Sequence, residues 1–197
     1  MPSDFLRLMR PHDWLKNIFI LPALIFSLPA LPEADRDQVF WGWMANTSMV
    51  IIAFSLLASG FYAINDALDV ERDRLHPRKR HRPIAVGRVS PKAGIRFGTV
   101  LVGLGLLGGF LVDNAVGGVL AGYLILQVLY NGGLKRVAIV DAVVLATGFA
   151  MRATVGAFAI DRAVSTWLLG CVFFLTLYLA FIKRLCDLSA AESAGTG

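Results

Sequence analysis

The chain has 197 residues, 56% of them hydrophobic and 17% charged, with mean hydropathy +0.64 and a net charge of +5. Its apolar residues fall in long uninterrupted runs, which excludes an ordinary soluble domain and predicts a single membrane-embedded helical bundle spanning residues 1–197. Cys171 and Cys186 lack metal-ligand spacing, so neither a zinc site nor a disulfide is expected.

A bilayer core of about 30 Å takes roughly 20 apolar residues per helix, and six runs qualify: 14–31, 46–67, 94–112, 115–130, 142–160 and 164–182. Arg7 and Arg10 precede the first in the manner of a signal peptide. It lacks a small-residue cleavage site, however, and Trp14 and Lys16 flank it, so a retained helix is expected. In the third and fourth runs Gly103, Gly105, Gly108, Gly109, Gly117, Gly118 and Gly122 suit close helix packing. None belongs to a phosphate-binding glycine loop. The fifth run carries Arg152, about 16 Å along the helix from Asp141. Two readings stand for it: an arginine facing the bundle cavity to meet substrate, or one paired with an interior carboxylate.

Lysine and arginine follow the alternation of the runs. Arg7, Arg10 and Lys16 lie at the first run, and nine more lie between Arg72 and Arg96. Lys135 and Arg136 follow the fourth run, and Lys183 and Arg184 the sixth. Arg36 and Arg162 fall on the opposite side. The positive-inside rule then places both termini, and any chemistry on the basic loops, at the cytoplasmic face of the cell membrane.

The second run closes in Tyr62-Ala63-Ile64-Asn65-Asp66-Ala67-Leu68-Asp69-Val70-Glu71-Arg72-Asp73. At about 100° per residue, Asp66, Asp69 and Asp73 share one arc, with Asn65 beside it and Glu71 turned away. Such a face repels itself unless a cation fills it, and oxygen ligands without Cys or His select magnesium or calcium over zinc. Magnesium favours few carboxylates, several waters and substrate phosphate oxygens. The basic stretch Arg72 to Arg82 follows directly, and its Arg72, Lys79, Arg80 and Arg82 could bind phosphates. A solvated helix end with a positive-inside loop is the plainer alternative. Nucleic acid is not an expected partner, since no aromatic platform accompanies the basic run.

Asn65-Asp66-x-x-Asp69-x-x-x-Asp73 resembles the first aspartate-rich motif of the UbiA superfamily of intramembrane prenyltransferases. Arg10-Pro11-His12-Asp13-Trp14-Leu15-Lys16-Asn17, His76 through Ala85, Leu134-Lys135, Asp141 and Gly148 through Ala153 are similar to its decaprenyl-phosphate phosphoribosyltransferase branch. Lys183-Arg184-Leu185-Cys186-Asp187-Leu188 stands where that branch has Lys-Arg-x-x-Glu-Leu, with Asp187 in place of Glu. The family carries about nine helices of roughly 20 residues, whereas six are legible here, so the last helices are expected to be missing.

The resemblance implies an all-α polytopic bundle and a magnesium-dependent transfer of 5-phosphoribose from phosphoribosyl diphosphate to a polyprenyl phosphate. It implies a role in cell wall arabinan precursor synthesis as well. Asn65, Asp66, Asp69 and Asp73 would hold magnesium, the three aspartates being the catalytic set. Lys16, Arg72, Lys79, Arg80, Arg82, Lys135, Asp141, Arg152, Lys183, Arg184 and Asp187 would contact phosphates or substrate. A conventional prenyltransferase using an aromatic acceptor, and an inactive shortened relative, are the rival readings. Oligomerisation is left open.

Overall fold

The computed structural model describes residues 2–31, 33 and 35–195, all of them in helices or their connections. Helix α1 (Pro2–Met9) leads into a 3₁₀ segment (Pro11–Ile20) and α2 (Leu21–Ser27). Then come α3 (Arg36–Leu68), the short α4 (Val70–Leu75), α5 (Pro91–Val112), α6 (Asn114–Gly132), α7 (Ala138–Ala159) and α8 (Thr166–Gly195). Six stretches are long and apolar enough to cross a membrane, and each expected run finds its counterpart: the first two begin about ten residues earlier than expected, at Ser3 and Arg36, and the other four shift by a few residues at the ends.

The first span departs from the expected regular helix. Prolines at 11 and 22 deny backbone donors at both ends of the 3₁₀ segment, and Arg10 enters it in the left-handed region at φ 51°, ψ 62°. Side chains three apart eclipse on a 3₁₀ helix, so Trp14, Asn17 and Ile20 share one face. Trp14 Nε1 donates to Ser59 Oγ at 3.0 Å, and Asn17 Nδ2 to Ser55 Oγ at 2.8 Å. Ser59 Oγ in turn donates to the Met9 carbonyl at 2.7 Å. One helical turn of α3, from Ser55 to Ser59, thus receives the whole segment. Ile20 presses its carbonyl onto Gly156 of α7, where a side chain would collide.

The tightest helix pair is α3 against α5. A Cβ at Gly60 would lie 2.5 Å from the Gly98 carbonyl oxygen, and one at Gly98 would lie 2.5 Å from that of Gly60. Bare backbone at both positions lets the axes approach and gain dispersion contacts that no larger residue allows. Around this seam sits the apolar centre, with Val50, Phe54, Leu57, Val116, Leu120 and Val155 fully buried. A second, smaller core of Leu8, Ala63, Ala67, Ile84 and Val89 folds the loop after α4 back onto α1 and the end of α3.

Candidate functional site

That smaller core positions the acidic site. Ile84 and Val89 anchor the loop while Pro83 fixes its course, so Arg82 arrives over the end of α3. Arg82 Nη1 donates to Asp66 Oδ1 at 2.9 Å and to Asp73 Oδ2 at 2.6 Å. From the other side, Arg10 Nη2 donates to Asp66 Oδ1 at 2.6 Å, its guanidinium lying 4.8 Å from the centre of the Tyr62 ring. Asp66 and Asp73 are 2% and 3% exposed, so the two cations hold charge that would otherwise be stranded away from water.

The helix carries its hydrogen bonds through the motif, Asp69 N donating to the Asn65 carbonyl and Asp73 N to the Asp69 carbonyl, each at 2.9 Å. Asp69 itself leaves helical torsions, at φ −93°, ψ 10°, and separates α3 from α4. The expected arc therefore holds Asp66 and Asp73 together, two turns apart, while the Asp69 carboxylate lies 3.8 Å from Arg72. Asn65 is half-buried beside them, and Glu71 is exposed and paired with Arg74. Among the described residues no three His, Cys, Asp or Glu side chains gather closely enough to hold a metal ion. The Asp66–Asp73 pair, converging on one cationic nitrogen, fits magnesium nonetheless. That ion takes one or two protein carboxylates and completes its shell with water and phosphate oxygens.

Other expected residues fall into two groups. Lys79 and Arg80 are exposed, Arg80 Nε reaching His81 Nε2 at 3.3 Å, while Arg82 is turned inward onto the carboxylates. Lys135 donates to Asn131 at 3.3 Å, and Lys183 is exposed. Asp141 accepts from the Tyr130 hydroxyl at 2.6 Å and from Arg184 at 3.5 Å, which ties α6, α7 and α8 together at the same end of the bundle as the acidic pair. The Asp187 side chain, like that of Arg136, lies outside those described.

Arg152 is 4% exposed and meets no carboxylate among the described residues, which removes the interior-ion-pair reading. Nε donates to Asn17 Oδ1 at 3.1 Å, Nη1 to the Gly148 carbonyl at 2.8 Å, and Nη2 to the Tyr123 hydroxyl at 3.2 Å. The rings of Phe54, Tyr123 and Phe149 surround it, with centres 4.5–5.2 Å away. It lines a cavity of about 70 Å³ with Lys16, Tyr62, Gln127 and Tyr130. Sequence reasoning left Arg10, Asn17, Tyr62, Tyr123 and Tyr130 out of the site. One signal was present: Tyr123, Gln127 and Tyr130 repeat at helical spacing on an otherwise apolar span.

Residues 19–196 match the UbiA prenyltransferase family. The chain is 35% identical over 154 residues to a decaprenyl-phosphate phosphoribosyltransferase of Mycolicibacterium smegmatis, covering 78% of this chain and 47% of that one. To the protein of the same name from Corynebacterium glutamicum it is 31% identical over 159 residues, covering 79% and 46%. It thus spans about half the length of these relatives. A UbiA homolog from Archaeoglobus fulgidus, solved bound to GPP and Mg2+, superposes with a TM-score of 0.74 at 20% identity, covering 98% of this chain and 66% of that one.

Proposed function

The chain belongs to the UbiA prenyltransferase family, and from that footing we propose that it transfers 5-phosphoribose from phosphoribosyl diphosphate to a polyprenyl phosphate such as decaprenyl phosphate, releasing diphosphate. The observation that carries this reading is a buried carboxylate pair, Asp66 and Asp73, ringed by cations. Arg10 and Arg82 touch the pair, and Lys79 and Arg80 stand exposed on the adjoining segment. The last span ends in Lys183 and Arg184 in place of a second aspartate-rich motif, which suits substrates with several phosphates. The named relatives support the same choice.

Asp66 and Asp73, with Asn65 and Asp69 alongside, are the proposed magnesium ligands. When bound, magnesium would neutralise charge developing on the leaving diphosphate. Arg82, Lys79, Arg80 and Arg72 grip the donor phosphates as charge-assisted donors. Lys16, Lys135, Lys183 and Arg184 serve the remaining phosphates, Asp141 orients Arg184 and Tyr130, and Asp187 completes that end. The lipid phosphate oxygen is already anionic and attacks the ribose carbon without a strong general base, so alignment supplies much of the rate. The positive-inside distribution supports a site at the cytoplasmic face of the cell membrane, where the product would supply arabinose donors for the cell wall.

The test incubates detergent-solubilised chain and magnesium with labelled phosphoribosyl diphosphate and decaprenyl phosphate, alongside Asp66→Asn. Label entering the lipid phase with the native chain and absent with the variant is the expected result. Label carried instead from a polyprenyl diphosphate to an aromatic acceptor would replace this reading by conventional prenyl transfer. No transfer of either kind, beside an active full-length relative, would leave the chain without either activity.

A further inference from the structure

Arg152 presents an unusual balance. Placing arginine near the middle of a membrane span is costly, yet no described carboxylate offsets it. A guanidinium has five N–H groups; Asn17, Gly148 and Tyr123 take three of them. One N–H remains on each terminal nitrogen, donors suited to charge-assisted hydrogen bonds with phosphate oxygens. Aromatic rings crowd around the guanidinium and restrict how it can turn.

The cavity wall agrees. Its polar members are Lys16, Tyr62, Tyr123, Gln127, Tyr130 and Arg152: two cations, three phenols and an amide, with no carboxylate. Lys16 is held at the rim by Asp13, and Tyr130 by Asp141. At about 10–15 Å³ per water position, a cavity of about 70 Å³ takes a handful of small atoms. That leaves room for one tetrahedral oxyanion. Tyr62 belongs to this wall and also carries Arg10 on its ring, so the cavity adjoins the Asp66–Asp73 site while remaining distinct from it.

We infer that this cavity is a second anion site, which takes a phosphate monoester on Arg152, with Lys16, Tyr62 and Tyr130 around it and with Asn17 and Tyr123 as positioning residues for the guanidinium. Assigning the monoester to the reaction rests on the phosphoribosyl-transfer reading, where two such groups occur: the acceptor's lipid phosphate and the donor's ribose 5-phosphate.

Binding without turnover separates these possibilities. The chain in detergent with a chelator present, so that no transfer can occur, is titrated calorimetrically with farnesyl phosphate, ribose 5-phosphate and uncharged farnesol. Farnesyl phosphate binding that weakens at least tenfold in Arg152→Gln and about threefold in Tyr130→Phe, with farnesol indifferent to both, assigns the site to the acceptor. The same pattern for ribose 5-phosphate alone assigns it to the donor. Tyr130→Phe and Lys16→Gln leave the Arg152 hydrogen bonds in place and keep the test decisive if Arg152→Gln fails to fold. Equal binding by native chain and variants, or no binding of either phosphate, overturns the inference. Because no transfer is measured, a failure of the proposed activity would not produce these outcomes.

Discussion

A single nitrogen, Arg82 Nη1, joins Asp66 and Asp73, carboxylates two helical turns apart, by hydrogen bonds of 2.9 and 2.6 Å. It is the guanidinium of a loop residue, delivered by the packing of Ile84 and Val89, that lets two almost fully buried carboxylates coexist.

Removing that cation strands both charges. Arg82→Gln should lower stability by about 3 kcal/mol, the scale for breaking one side of a buried ion pair. Added magnesium should restore more of the loss than it adds to the native chain, since ligand binding to the folded state stabilises it by mass action. Thermal unfolding in detergent, with chelator and with magnesium, checks both parts. Equal magnesium shifts in the two proteins would mean that the carboxylate pair does not receive the ion.

The three aspartates should not be equivalent. Asp66 and Asp73 converge, while Asp69 faces Arg72 at 3.8 Å. Asp66→Asn and Asp73→Asn are expected to reduce label transfer by about 10²-fold or more, the usual range for losing transition-state electrostatics. Asp69→Asn should cost less. Initial rates at saturating substrate give the ranking, and a larger loss at Asp69 would show that the motif closes further when substrate arrives.

Arg10 holds a left-handed backbone, at φ 51°, immediately before Pro11. For a residue with a Cβ this conformation costs roughly 1–2 kcal/mol. Arg10→Gly and Arg10→Ala lose the same pair with Asp66, so the glycine variant should be the more stable of the two by about 1 kcal/mol. Denaturant unfolding of both variants measures the difference directly.

The α3–α5 seam makes opposite forecasts for two glycines on one helix. Gly98→Ala would place a Cβ 2.5 Å from the Gly60 carbonyl oxygen and should destabilise by about 2 kcal/mol or more through overpacking. Gly103→Ala meets nothing within 4 Å and should be neutral or stabilising, by up to about 1 kcal/mol. Melting temperatures and monodispersity in detergent distinguish them.

Six spans were legible because each needs a continuous apolar run, and hydropathy reports that without reference to partners. The 3₁₀ conformation of the first span was not: Pro11 and Pro22 hint at a break, but the three-residue period of Trp14, Asn17 and Ile20 has meaning only against Ser59, Ser55 and Gly156. Helical angle alone grouped Asp66 with Asp73 correctly. It could not foresee that Asp69 would leave the helix, or that Arg82 would turn inward. Arg152 stood out in sequence as a charge in a span, yet its neutral cage is drawn from the first span, α3, α6 and α7, a convergence that spacing along one chain does not encode.

The stretched first span also sets the depth of two polar layers. A 3₁₀ helix rises about 2.0 Å per residue and an α-helix about 1.5 Å. Seven residues from Arg10 to Asn17 therefore nearly keep pace with the eleven of α3 from Asp66 to Ser55, the two partners they meet. Wound as an α-helix, the same seven residues would fall short by slightly more than a turn. Arg10 could then reach the carboxylates at the end of α3, or Asn17 could reach Arg152 below, but one segment could not serve both levels at once.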